Sequence, residues 1–162
     1  RGGAGVIRDV RVLCERADLA TRMENTVVAP YGVAGGGAGR TGHIILNPGT
    51  PAERELPALG DGIMLRRGDL LRLETCGGGG WGDPLTREPE RVRQDVARGL
   101  VTARGALEDY GVALDPVTLE IDKTTTDEAR RRRSRDLPLI DRGPGFAEAE
   151  ARWRAARANP QP

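Results

Sequence analysis

The chain has 162 residues and a formal net charge of +1. That balance supplies no global field for nucleic acid or an anionic membrane, and no apolar run approaches a membrane span. The length suits one domain, or one domain with a tail. Its 23 glycines are about twice the usual share. Aromatics are few, and Lys123 is the only lysine, so arginine carries almost all the positive charge. Cys14 and Cys76 lie far apart with no C-x-x-C, the pattern of free thiols in a reducing, cytoplasmic compartment. A start at Arg1-Gly2-Gly3, without Met, leads us to expect a fragment or a processed subunit.

From the N-terminus, Val6, Val10, Val12 and Cys14 alternate with Ile7, Asp9, Arg11 and Leu13, a period-two pattern that predicts a half-buried strand. Arg16-Ala17-Asp18 can turn the chain into a return strand over 19–24, so a hairpin is predicted at 6–24. Glycine dominates from Pro30 to Gly42 and predicts a loop. His43–Leu46 is a short strand, ended by the turn residues Asn47-Pro48-Gly49. Further strands are predicted at 63–66 and 70–75, joined through Arg67-Gly68-Asp69. The period then changes. Pro89 suits a first helical turn, Val92 and Val96 form an apolar stripe, and Gly99 stops the helix. Thr102 caps a second helix, with Ala103, Ala106, Leu107 and Tyr110 inward and Gly111 as a left-handed stop. Residues 112–114 and 117–121 are predicted edge strands. Thr125-x-x-Glu128 reads as a capping box for a third helix running to Arg135. Phe146–Ala158 predicts a last helix with Phe146, Ala149 and Trp153 on one side, before a disordered Asn-Pro-Gln-Pro end.

The fold class is therefore α+β: an antiparallel β-rich half (1–76, sheet or partial barrel), a glycine-rich loop (77–88), a helical part with short edge strands (89–136) and an extended tail (137–162). The organising stretch is Cys76–Pro84, Cys-Gly-Gly-Gly-Gly-Trp-Gly-Asp-Pro. Backbone without Cβ atoms can adopt φ > 0 and can lie close against another surface. Trp81, Asp83 and Pro84 argue for one held shape rather than a linker.

Each chemical motif has a simpler alternative. Gly77–Gly82 satisfies G-x-G-x-x-G, yet Asp83-Pro84 prevent a helix from opening directly on the loop, as a pyrophosphate site requires. Ala34–Thr41 imitates a phosphate loop, but Arg40 stands in place of the lysine and a strand follows. Cys76 reads as a small thiol at a strand end. His43 has no second His or Cys at ligand spacing. Asp83 reads as a turn cap. Arg130–Arg133 points around a whole helix circumference and makes no stripe for phosphates. The residues alone supply no catalytic, cofactor-binding or metal site. Only the loop Gly77, Gly78, Gly79, Gly80, Trp81 and Asp83 is site-adjacent.

The block from Gly77 to Leu85, then Arg87-x-Pro89-Glu90-x-Val92, Asp95-Val96, Gly99-Leu100-Val101 and Tyr110-Gly111-Val112, resembles the C-terminal part of hydantoinase B/oxoprolinase B subunits. Arg1-Gly2-Gly3-x-Gly5, Gly32-x-Ala34-Gly35-Gly36, Asn47-Pro48-Gly49, Gly68-Asp69 and Asp141-Arg142-Gly143 agree with it. The resemblance implies ATP-dependent opening of a cyclic imide or lactam, with ketone carboxylases as relatives. It implies an ATP-binding A-type subunit as hetero-oligomeric partner, besides the remainder of the B subunit. ATP with Mg and a divalent metal are expected elsewhere in that assembly and not on this chain, and neither nucleic acid nor membrane is expected as a partner. This segment is then scaffold and subunit contact. A non-catalytic assembly module is the alternative from another class.

Overall fold

The computed structural model describes residues 1–132 and 136–158. In chain order its elements are β1 (Ile7–Arg11), β2 (Arg16–Arg22), β3 (Gly32–Val33), β4 (His43–Leu46), β5 (Arg54–Glu55), β6 (Leu59–Arg66), β7 (Leu70–Glu74), α1 (Pro89–Ala97), α2 (Ala103–Tyr110), α3 (Lys123–Arg131), β8 (Ile140–Asp141) and α4 (Phe146–Ala158), with a 3-10 turn at Pro84–Thr86. The fold is α+β, with antiparallel ladders β1-β7-β4-β5 and β2-β6 that stay open and close no barrel. The chain divides into two units. One comprises Gly2–Gly32, Gly37–Gly80 and residues from Arg142 onward; the other comprises Arg1, Val33–Gly36 and Trp81–Asp141.

In the β-rich unit, Val12, Ile44, Leu46, Leu56, Leu65 and Leu71 form the core, with Leu19, Met23, Ile63 and Leu73 packed on it. Alternation along β4 and β7 turns Ile44, Leu46 and Leu71 to that side. Asn47, itself left-handed at φ 53, locks the end of β4 to β7. Its Oδ1 accepts from the Leu70 N–H at 2.9 Å and its Nδ2 donates to Asp69 at 2.9 Å.

The predicted hairpin at 6–24 does not form. β1 pairs with β7, Ile7 opposite Glu74, and β2 pairs with β6, Arg16 opposite Arg66. Strand positions are set by local alternation, but partners are chosen by which rows complete the core. Nor is β1 half-buried: all five of its residues are exposed.

In the helical unit, Val92, Ala106 and Val112 are fully buried, joined by Val96, Val101, Tyr110, Leu114 and Ile121. Pro89 opens α1, and Gly99 follows it at φ 69. Thr102 caps α2 by accepting the Gly105 N–H, and Gly111 closes it at φ 62, ψ 31. Ala103 and Leu107 lie on the exposed side, because only the Ala106 and Tyr110 side of α2 meets the core. The cap of α3 is Asp122, whose carboxylate accepts the Thr125 N–H at 3.0 Å and its hydroxyl at 2.6 Å. Thr125 therefore lies inside the helix and the capping box does not form. Between α2 and α3 the predicted edge strands shrink to one bridge, Leu114 with Ile121. Asp115 folds the intervening residues by accepting the N–H groups of Val117 and Thr118. The predicted end of α3 at Arg135 and the tail at 159–162 lie outside the described residues.

Candidate functional site

In the β-rich unit the four glycines Gly77–Gly80 pass between two other glycine-rich segments. The Gly78 N–H donates to Gly3 O at 2.9 Å, Gly77 to Arg40 O at 3.2 Å and Gly80 to Gly37 O at 2.8 Å, while Gly39 donates to Pro30 O at 2.8 Å. At Gly79, and at three glycines packed against the run, there is no room for a side chain. A Cβ on Gly79 would collide with the Tyr31 carbonyl, its carbon only 2.5 Å away. One on Gly2 would strike the Gly78 carbonyl, one on Gly39 the Gly77 carbonyl, and one on Gly5 the Thr75 carbonyl. None of Gly77–Gly80 has a left-handed φ; in this stretch only Gly82 does, at 78°. The run is glycine because backbone lies on backbone, not because the chain must turn.

That arrangement decides what the loop can do. A phosphate cradle needs N–H groups aimed at open space. Here Gly77, Gly78 and Gly80 give theirs to carbonyls. In the segment that imitates a phosphate loop, Gly36 donates to Val33 O, and Gly39 is engaged as above. Both His43 nitrogens are occupied, Nε2 by Thr41 Oγ1 at 3.1 Å and Nδ1 by Glu55 Oε1 at 2.7 Å. Cys76 is half-buried and free. Among the described residues no group of three or more His, Cys, Asp or Glu could hold a metal ion.

The rest of the loop belongs to the helical unit. Trp81 bridges to Val33 in parallel, and the Gly82 N–H donates to Val33 O at 2.9 Å. Trp81 stays 80% exposed. Asp83 accepts the Leu85 N–H at 2.8 Å and caps the 3-10 turn. Two charged groups in this unit have roles that the sequence does not reveal. Asp95 is 7% exposed and is held by Arg87 at 2.8 Å and Arg1 at 3.4 Å. A signal existed, since Asp95 sits beside Val96 and three residues after Val92, next to the apolar stripe. Arg130 turns back to the carbonyls of Tyr110 and Arg87, at 3.2 and 2.7 Å. Burial lowers its pKa from the ordinary arginine value. It works as a helix tie, and of the basic run Arg133 lies outside the described residues.

The comparisons with known proteins bear on the same glycine segments. The Hydantoinase B/oxoprolinase family profile matches residues 1–84. This chain belongs to the hydantoinase B/oxoprolinase family. It is 33% identical over 132 residues to the putative D-/L-hydantoinase B subunit of Pseudomonas sp. (strain NS671), covering 81% of this chain and 22% of that protein. It is also 33% identical over 79 residues to the acetophenone carboxylase delta subunit of Aromatoleum aromaticum (strain DSM 19018 / LMG 30748 / EbN1), covering 49% of this chain and 11% of that one. Among solved structures, a nucleotide-free acetone carboxylase matches with a TM-score of 0.50 at 18% identity, covering 88% of this chain and 27% of that chain. At that identity the likeness speaks for the fold alone. The chain thus spans about a fifth of the length of the first curated relatives it matches. Within this family segment, the glycines of 2–5, 37–42 and 77–80 are the backbone of one packed junction.

Proposed function

We propose that this chain is a scaffold segment, from the C-terminal part, of the B-type subunit of an ATP-dependent cyclic amidase that hydrolyses a cyclic imide or lactam. The observation that carries the proposal is the junction of three glycine segments, in a chain of this family, with its N–H groups spent internally. A loop built this way fixes the course of the backbone and leaves reaction chemistry to groups elsewhere. An unstrained amide is a poor electrophile, so activation has to come from outside these residues. ATP with Mg is assigned to an A-type partner subunit, and a divalent metal to the remainder of the B subunit. The hetero-oligomer is supported by relatives that are themselves named as subunits. The proposed compartment is the cytoplasm, supported by the free thiols of Cys14 and Cys76. Among the described residues no helix is long and apolar enough to cross a membrane.

The match to an acetophenone carboxylase subunit favours a second reading, in which the same scaffold serves an ATP-dependent ketone carboxylase. One experiment separates them. The complete subunit is purified with whatever copurifies, and ATP turnover is followed with hydantoins or 5-oxoproline, then with ketones plus bicarbonate. Lactam-dependent turnover supports the amidase. Turnover that needs ketone and bicarbonate together supports the carboxylase. Turnover with neither leaves a non-catalytic assembly module.

A further inference from the structure

The four-stranded ladder treats its two edges differently. At one edge stands β5, two charged residues long, Arg54 and Glu55. Short, charged edges are how folded proteins prevent strand addition. At the other edge stands β1, five residues long and without proline, although Arg8, Asp9 and Arg11 are charged, so that its length rather than its charge sets it apart from β5. The Val12 N–H donates to Asp69 O at 2.9 Å and Val6 O accepts from Thr75 N at 2.9 Å, so the even-numbered residues bond inward to β7. Strand alternation then turns the main-chain groups of Ile7, Asp9 and Arg11 toward the open edge. One core-facing row ends at Arg8, opposite Leu73, but the next runs outward without a stop. Leu46 lies opposite Leu71, and Leu71 opposite Val10. Leu46 and Leu71 are buried, whereas Val10 is 40% and Val6 61% exposed.

We infer that β1 is an internal strand of the complete subunit, paired on its open edge by an extended segment from the remainder of the same polypeptide. This inference rests on the reading of the chain as a segment of a longer B-type subunit. The occupant carries apolar side chains beside Val6 and Val10, with a polar or acidic one beside Arg8 between them, and bonds through its main chain to Ile7, Asp9 and Arg11. The length argument favours the same polypeptide, since the first relatives are about five times as long as their matched portion. A second copy is disfavoured. Two β1 strands paired antiparallel through all three outward residues would set Asp9 against Asp9, and like charges directly opposite are destabilising.

The test is residue-resolved hydrogen exchange on the full-length subunit in its complex. The amides of Ile7, Asp9 and Arg11 should exchange at least about 100-fold more slowly than unprotected turn amides, and on the scale of Arg8 and Val10. Exchange at turn-like rates in 7, 9 and 11, with 8 and 10 protected, overturns the inference. A photocrosslinking p-benzoylphenylalanine in place of Ile7 identifies the occupant. An intrachain crosslink is expected, while one to another subunit or to a second copy overturns the inference, as does a natural polypeptide no longer than this chain. Protection and an intrachain crosslink without ATP-dependent turnover would remove the proposed activity and leave the strand pairing standing.

Discussion

Gly79→Ala is the sharpest probe of the glycine junction. The added methyl would lie against the Tyr31 carbonyl, 2.5 Å from its carbon and 3.0 Å from the Gly32 nitrogen. Those atoms are backbone and cannot rotate away, so one pass of chain must shift. Overpacking of this kind costs about 1–3 kcal/mol. A shift would also stretch the Gly80 to Gly37 bond, now 2.8 Å, worth about 1 kcal/mol. Alanine restricts the unfolded chain, which offsets about 0.4–1 kcal/mol. The expected net loss is about 1–3.5 kcal/mol, from the combination of these terms. Gly77→Ala is the matched control, because its Cβ would meet nothing closer than Gly3 O at 3.6 Å and its φ is not left-handed. It should be neutral or stabilising by up to about 1 kcal/mol. Urea unfolding of the full-length subunit, following the transition that includes this segment, measures both. Equal midpoints for the two variants would refute the argument from backbone contact, and a destabilised Gly77→Ala would indicate that the run needs glycine for another reason.

Three further outcomes follow from the helical unit and its caps. Asp95→Ala should leave the Arg87 guanidinium largely buried with its carboxylate partner gone, a loss of about 3 kcal/mol; the paired change Asp95→Leu with Arg87→Met should recover much of it in the same unfolding assay. Gly111→Ala forces an L-residue into φ 62 and sets its methyl 2.9 Å from Arg130 Cγ, so a loss of at least about 1–2 kcal/mol is expected, and a midpoint unchanged from the parent would contradict it. The Asp122 carboxyl lies below its ordinary value of 3.8, chiefly through its hydrogen bonds to Thr125. A depressed folded pKa gives stability that is fully present above the ordinary value and is lost as pH falls through the folded one. The stability gap between the parent and Asp122→Ala should therefore be constant from neutral pH to about pH 5 and should narrow below pH 3.8, as thermal melts across that range would register.

What the sequence makes legible is whatever is decided within a few residues. Pro89, Gly99, Thr102 and Gly111 mark α1 and α2 because caps and stops act locally. The strand at His43–Leu46 is marked by alternation and by Asn47-Pro48-Gly49. Even here neighbours compete: Asp122 takes the N-cap of α3 from the Thr-rich stretch behind it, because an ionised carboxylate can accept from both the amide and the hydroxyl of Thr125. Pairing over distance is not legible in this way. Ile7 and Glu74 are partners across most of the β-rich unit, and nothing near either residue names the other.

The glycine run shows the same boundary from the side of function. A sequence of glycines fits a phosphate cradle, a flexible linker and a packed junction equally well, since each needs backbone without Cβ atoms. What separates the three is where the N–H groups point. A cradle leaves them open, a linker gives them to water, and a junction spends them on carbonyls. Gly77 on Arg40, Gly78 on Gly3 and Gly80 on Gly37 answer for the junction. Each of those carbonyls lies in a segment that is itself rich in glycine, so the three runs are one structural feature written in three places. A substitution that adds a Cβ at Gly2, Gly39 or Gly79 therefore perturbs the same contact surface, and pairs of such changes should fall short of additivity.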